Sequence, residues 1–387
     1  IRGSVTRLEA FQSCPFKHFA QYGLRLKERP EFQLAAPQVG VFLHGVLKKY
    51  GQTLLDEGKK WHEISSDERQ QLTDLIIQDL ASKLQNEILY STVQYRHFLE
   101  RLKETVTRSI DRLTAFSTVT SFAPAALEQS FGDPENGWPA LTFELSGDIK
   151  LELTGQIDRI DKVETNSAAY FLIIDYKSGS KRLTLSDAYH GLSLQLLTYL
   201  LVALEGASHL TNSNSAPHTA GILYYFLRSP FLSTDGPLTI EEAQRQLENS
   251  QRMPGWLLEN KELLELIESE FAEEGTSFIP RIVLKKNGDF DGRYTKPLKS
   301  EEEFAELLSH LEATLVASGQ SICAGNVEIA PYQIGSQIAC TATFCPYRSF
   351  CQFDRFQGNN YRQLETLKDE EIFARLKAEV KPDELDN

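Results

Sequence analysis

Nothing in this sequence approaches the roughly 18 consecutive apolar residues that a membrane span requires. The longest such stretch, Leu192 to Leu204, is interrupted by Ser193, Gln195 and Thr198. The start lacks the pattern of a secretory signal, and with Ile1 in place of an initiator methionine the chain is expected to be a piece excised from a longer protein. There is no Gly-x4-Gly-Lys-Ser/Thr loop, which excludes a phosphate-loop ATPase, and no internal repeat. Positive charge is in short supply: 40 Lys and Arg face 54 Asp and Glu, a net charge of −14. That balance argues against a surface coated in phosphate-binding side chains, so a polyanion would need a local basic path and a cation to offset the repulsion. Residues 1 to 50 carry eight Lys/Arg against three Asp/Glu, whereas the end from Leu364 to Asn387 is dominated by acids. Cysteine is scarce, odd in number and uneven: Cys14, Cys323, Cys340, Cys345 and Cys351. This usage fits metal ligation in a reducing, cytoplasmic compartment better than a secreted disulfide framework.

What is present centres on Phe171 to Gly179. Four large apolar residues, Phe171 to Ile174, read as a strand buried on both faces. It delivers Asp175 and Lys177, two apart and so on one side, to its end. Upstream, Gly155-Gln156-Ile157-Asp158 supplies a second carboxylate on another strand. Two carboxylates and a lysine so placed can hold a divalent cation beside a water, which suits phosphodiester hydrolysis; the plainer reading of Asp175 and Lys177 alone is an ion pair.

Along the chain, Thr6 to Glu9 resembles a capping box opening a short helix that ends at Cys14-Pro15. Phe16, Phe19 and Tyr22 continue an aromatic stripe, Pro30, Pro37 and Gly40 break it, and Val41 to Tyr50 forms a helix containing His44. Residues 51 to 120 read as two or three amphipathic scaffold helices. Glu128 falls on a short strand, Ala126 to Phe131, and 141 to 163 reads as an antiparallel pair leading into the Asp158 strand. Ser186-Asp187 caps a helix running through Leu204, on which Gln195 and Tyr199 share a face. Gly221 to Leu227 is another buried strand. The result is an α/β fold with a mixed sheet, expected as one domain, 1–387, with N-terminal helices (1–50), helical scaffold (51–120), α/β core (121–228), an insertion (229–300) and a C-terminal helix with a cysteine segment (301–387). Within that last part Ser300 caps a helix, Val327 to Ile329 forms a last strand, and the residues after Cys351 are helical.

Cys340-x4-Cys345-x5-Cys351 gathers three thiols among Phe344, Tyr347, Phe350 and Phe353. Three such ligands need a fourth, from Cys323 or Cys14, and the gaps leave zinc and iron-sulfur both open.

Taken together, Cys14-Pro15-Phe16, Val39 to His44, Gly155 to Asp158, Ile174 to Lys177, Gln195-x3-Tyr199 and the cysteine trio resemble the RecB-like branch of the PD-(D/E)XK nucleases that carries an iron-sulfur cluster. The likeness runs from Val5 to about Phe356. It implies a restriction-endonuclease-like core with large helical additions, in which His44, Asp158, Asp175 and the Tyr176 carbonyl bind Mg2+ or Mn2+. It further implies that Lys177 orients the attacking water, that Gln195 and Tyr199 hold the lysine region and the DNA, and that Cys14, Cys340, Cys345 and Cys351 ligate a 4Fe-4S cluster, with zinc as the alternative. Glu128 matches a position often acidic in this branch. One departure is the proline that often precedes the first acidic motif, replaced here by Gly155-Gln156-Ile157. The implied activity is trimming of single-stranded DNA ends in double-strand-break repair, beside an AddA-like helicase-nuclease subunit and the rest of a longer chain. The alternatives are a non-catalytic DNA-binding or assembly module and a stand-alone exonuclease.

Overall fold

The computed structural model describes residues 1–27, 29, 34, 36–84, 87–133, 135, 137–165, 168–179, 181–211, 216–227, 234, 236–342 and 345–379. Pro30, Phe344, the first residues of the expected insertion and the end of the acidic tail lie outside them.

At the centre is a six-stranded mixed sheet whose spatial order follows the chain: β1 (Ala123–Phe131), β2 (Gly155–Glu164), β3 (Ala168–Lys177), β4 (Ala216–Phe226), β5 (Gly255–Leu258) and β6 (Leu298–Lys299). Neighbours from β1 to β3 are antiparallel, β3 and β4 run parallel, and β5 is antiparallel to β4. Phe171 to Ile174 are fully buried, as a strand covered on both faces requires. The last two strands, β5 and β6, come from the stretch expected as an insertion, so part of it extends the central sheet.

On one side of the sheet lie α1 (Val5–Ser13), α5 (Gln195–Glu205) and α6 (Glu301–Cys323); α2 (Ala36–Asp56), α3 (Ser66–Lys83) and α4 (Val93–Val119) form the helical scaffold. The scaffold is amphipathic, as its sequence pattern requires: Leu99, Leu102, Val106, Ile110 and Leu113 of α4 are buried at helical spacing. A parallel β3–β4 pair needs a crossover, and α5 provides it. The helix expected from Ser186 to Leu204 is in fact two. Thr184 caps a short Leu185–Tyr189 helix, Gly191 turns the chain at φ +73°, and α5 then begins at Gln195. At α6 the Ser300 and Glu303 capping box forms as expected.

Three further expectations fail. Val327 to Ile329 is not a strand; Tyr332–Ile334 is, paired with Gln337–Ile338 and with Arg362–Leu364. The segment after Cys351 therefore contributes a strand before its helix, α7 (Asp369–Glu379). At the other end of the chain Ser4, not Thr6, flanks the start of α1, with no side-chain cap, and Glu9 is used elsewhere.

Candidate functional site

Strands β1, β2 and β3 bring three acidic residues level with one another. The β1–β2 register pairs Leu127 with Arg159 and Gln129 with Ile157, which sets Glu128 opposite Asp158. Next along, Arg159 pairs with Ile174, which sets Asp158 level with Asp175. Glu128 adopts φ +49°, a left-handed conformation that a side-chain-bearing residue takes up at a cost of about 1–3 kcal/mol. Its carboxylate thereby turns toward His44, whose Nδ1 lies 3.7 Å from Glu128 Oε1 and 3.3 Å from Asp158 Oδ1. Among the described residues, the one group of three potential ligands with atoms all within 4.8 Å is His44, Glu128 and Asp158. Burial favours a neutral His44, but the hydrogen bonds and charges of Asp158 and Glu128 outweigh it and push the imidazole up to about 10.

Asp158 Oδ2 accepts a 2.6 Å hydrogen bond from the Tyr176 N–H. In a strand the N–H and C=O of one residue face the same edge, so the Tyr176 carbonyl also turns toward β2. Asp175 stands apart from the trio. It is almost fully buried, Oδ1 has no hydrogen-bond partner, and Oδ2 lies 2.5 Å from Lys177 Nζ. Burial first, then the charge of Asp158, pushes its carboxyl up to about 7 against the pull of Lys177. Lys177 Nζ donates to Gln195 Oε1 at 2.9 Å, and Gln195 Nε2 donates to the Tyr199 hydroxyl at 2.9 Å. The i, i+4 spacing on α5 makes that relay possible.

The trio opens into a cleft of about 590 Å3, lined also by Gly40, Val41, Lys48, Gln156, Lys177 and Tyr199. Helix α2 presents Val41, His44 and Lys48 along one face. Gly40 permits its close approach: a Cβ there would lie 3.2 Å from Ser178 Oγ, just past the end of β3. Lys48 is the cationic cleft residue that the sequence reading passed over; its position one turn after His44 was the available signal.

At the far end of α1, Cys14, Cys340, Cys345 and Cys351 line one small hollow with Phe16, Ile329, Pro331, Tyr347 and Phe353. Cys323 is exposed and is not among its lining residues. Burial pushes the Cys14 thiol up, while the backbone N–H groups of Lys17, Ala330 and Phe16 favour its thiolate. Burial and the charges of the other three push Cys340 up to about 11. No three of these sulfurs, all of them described, lie within 4.8 Å of one another; around a single zinc ion, with Zn–S about 2.3 Å, tetrahedral thiolates would sit about 3.8 Å apart.

Three strands deliver carboxylates and a lysine to a cleft beside a parallel crossover, and three of the side chains there could hold a metal ion. The model of the PD-(D/E)XK nuclease superfamily matches residues 2–352, and the chain belongs to that superfamily, as its motifs suggested. Among curated proteins it is similar to the B-type subunit of the ATP-dependent helicase/deoxyribonuclease of Desulforamulus reducens, 38% identical over 97% of this chain and 32% of that protein. The same-named proteins of Bacillus cereus (36% identical, covering 98% and 32%) and Pelotomaculum thermopropionicum (38%, covering 97% and 32%) are alike. The chain thus spans about a third of the length of the curated relatives it matches.

Proposed function

We propose that this chain is the nuclease domain of an AddB-type protein: a deoxyribonuclease that uses Mg2+ or Mn2+ to trim single-stranded DNA ends fed to it by a motor located elsewhere. In this reading it works in the cytoplasm, in double-strand-break repair and recombination, with an AddA-like partner and the rest of a longer chain. The observation that carries the reading is the convergence of His44, Glu128 and Asp158 beside the Asp175–Lys177 pair at the edge of an open cleft.

The residues fit a divalent cation. Glu128 Oε1 and Asp175 Oδ1 are buried without hydrogen-bond partners, and oxygen donors suit Mg2+ while the imidazole widens the choice toward Mn2+. When bound, such a cation acidifies water and neutralises charge on the phosphate. Asp158, Glu128 and His44 would hold it, with Asp175 and the Tyr176 carbonyl as further oxygen donors. Lys177, steadied by Gln195, orients the attacking water and adds positive charge where the phosphate becomes crowded with oxygen. Tyr199 braces Gln195 at the cleft wall, and Lys48 meets the strand's backbone phosphates.

The thiol hollow gathers four cysteines, the ligand number of a 4Fe-4S cluster, with zinc as the alternative. Its role is structural: it fastens α1 to the C-terminal segment.

Incubating the protein with single-stranded DNA and Mg2+ or Mn2+ tests the activity. Release of nucleotides by the wild type and its loss in Asp158→Ala support the proposal. DNA that is bound in a salt-sensitive way but left intact would establish the non-catalytic module instead. Broad visible absorption of the anaerobic protein, lost in Cys345→Ser, supports the cluster; a colourless protein with stoichiometric zinc overturns it.

A further inference from the structure

Glu9 belongs to α1 by sequence and to the active site by contact. One carboxylate oxygen, Oε1, accepts from the backbone N–H of Leu194 at 2.7 Å and of Gln195 at 3.1 Å; the other, Oε2, lies 3.6 Å from Lys181 Nζ. Leu194 is the residue flanking the start of α5 and has no side-chain cap of its own, and Gln195 opens the helix. A carboxylate at this end satisfies two otherwise unpartnered donors and matches the helix dipole. It also fixes the rotation of the first turn, and that turn carries the side chain that accepts from Lys177 Nζ.

We propose that Glu9 is a positioning residue of the nuclease: by clamping the first turn of α5 it holds Gln195, and through Gln195 it holds Lys177 in register with Asp175. The proposal rests on the nuclease reading above. A second consequence follows from where Glu9 sits. Cys14 lies five residues on, at the end of the same helix. Gln12 between them is held from the other side, donating to Ser318 Oγ at 2.8 Å, with its carbonyl accepting from Arg362. The helix therefore meets the thiol hollow at its C-terminal end and clamps the lysine relay from its middle turn.

The test uses two substitutions in the complete protein. Glu9→Ala removes both acceptors, and Glu9→Gln keeps an acceptor oxygen without the charge. Misplacing a catalytic group by about 1 Å costs up to on the order of 100-fold. Glu9→Ala is therefore expected to lower kcat about 10- to 100-fold, with KM for single-stranded DNA and visible absorption unchanged and with most of kcat regained in Glu9→Gln. A kcat within about twofold of wild type in Glu9→Ala would overturn the proposal. So would equal losses in both variants, or a loss that tracks reduced absorption or melting temperature, since these mark a merely structural role. Hydrogen exchange supplies a readout independent of cleavage. The Leu194 and Gln195 amides exchange faster in Glu9→Ala if Glu9 clamps them, and wild-type rates there defeat the idea even in a protein that cuts nothing. An inactive wild type would instead defeat the nuclease reading, which keeps the two failures distinct.

Discussion

Two acid–base pairs lie on adjacent strands with the same two-residue spacing, and their difference separates structure from chemistry. Arg159 and Asp161 on β2 are fully buried and joined by two hydrogen bonds of 2.6 and 2.8 Å, with the guanidinium over the Trp61 ring. On β3, Asp175 and Lys177 face the other side of the sheet. There Lys177 remains partly exposed to the cleft, its nitrogen shared with Gln195, and one Asp175 oxygen has no partner. In the first pair both carboxylate oxygens are taken up and only Arg159 Nη1 lacks a partner; in the second it is a carboxylate oxygen that is left open. A buried carboxylate with both oxygens paired helps hold its strands in place; one with an unpaired oxygen beside other potential ligands keeps a donor free.

The comparison can be broken most sharply at Asp175. Asp175→Asn should lower cleavage by at least about 100- to 1000-fold, in line with the loss of a preorganised charge-stabilising group. Its unfolding midpoint in urea should stay equal to or above that of the metal-free wild type. A large loss of stability would make Asp175–Lys177 a structural pair like its neighbour.

Arg159→Met should do the reverse. Stranding Asp161 without a partner is expected to cost about 3–5 kcal/mol of folding stability, read from urea denaturation. The double variant Arg159→Met/Asp161→Leu should recover most of that cost, and metal affinity should persist wherever the protein remains folded.

The smallest expected effect is a pH dependence. Because the Asp175 carboxyl is raised from 3.8 to about 7 in the folded chain, the unfolded chain binds fewer protons between those values. Stability from this group is therefore complete below about 3.8 and is lost as pH rises through about 7. Thermal unfolding of the metal-free protein should show this trend, Asp175→Asn should flatten it, and added Mg2+ should stabilise more at pH 8 than at pH 6. An identical trend in Asp175→Asn would assign it to another group.

How far this was legible in the sequence depended on whether the signal was local. The β3 strand was plain because four large apolar residues run together, and α6 because Ser300 and Glu303 fit a reciprocal cap that forms. Thr6 and Glu9 present the same spacing, yet Glu9 reaches across the molecule to α5, a tertiary choice that local pattern does not register. Gly191 breaks what reads as one helix because a positive φ is chosen by the surroundings, not by the apolar period. The sequence placed Glu128 on a strand; that a left-handed backbone turns it into the trio could be learned only from the sheet register. The mixed sheet was expected, but its fifth and sixth strands were hidden in a stretch of polar residues and turns.

Helix α1 also sets a timetable. Its residues are translated roughly 300 positions or more before two that hold it, Ser318 and Arg362. At about 5–20 residues per second that interval is roughly 15 to 60 seconds. During it, the lysine relay has no firm anchor. A nascent chain therefore carries its carboxylates before the contacts that hold α1 can form, and the candidate site is complete only once nearly all of this chain has been made.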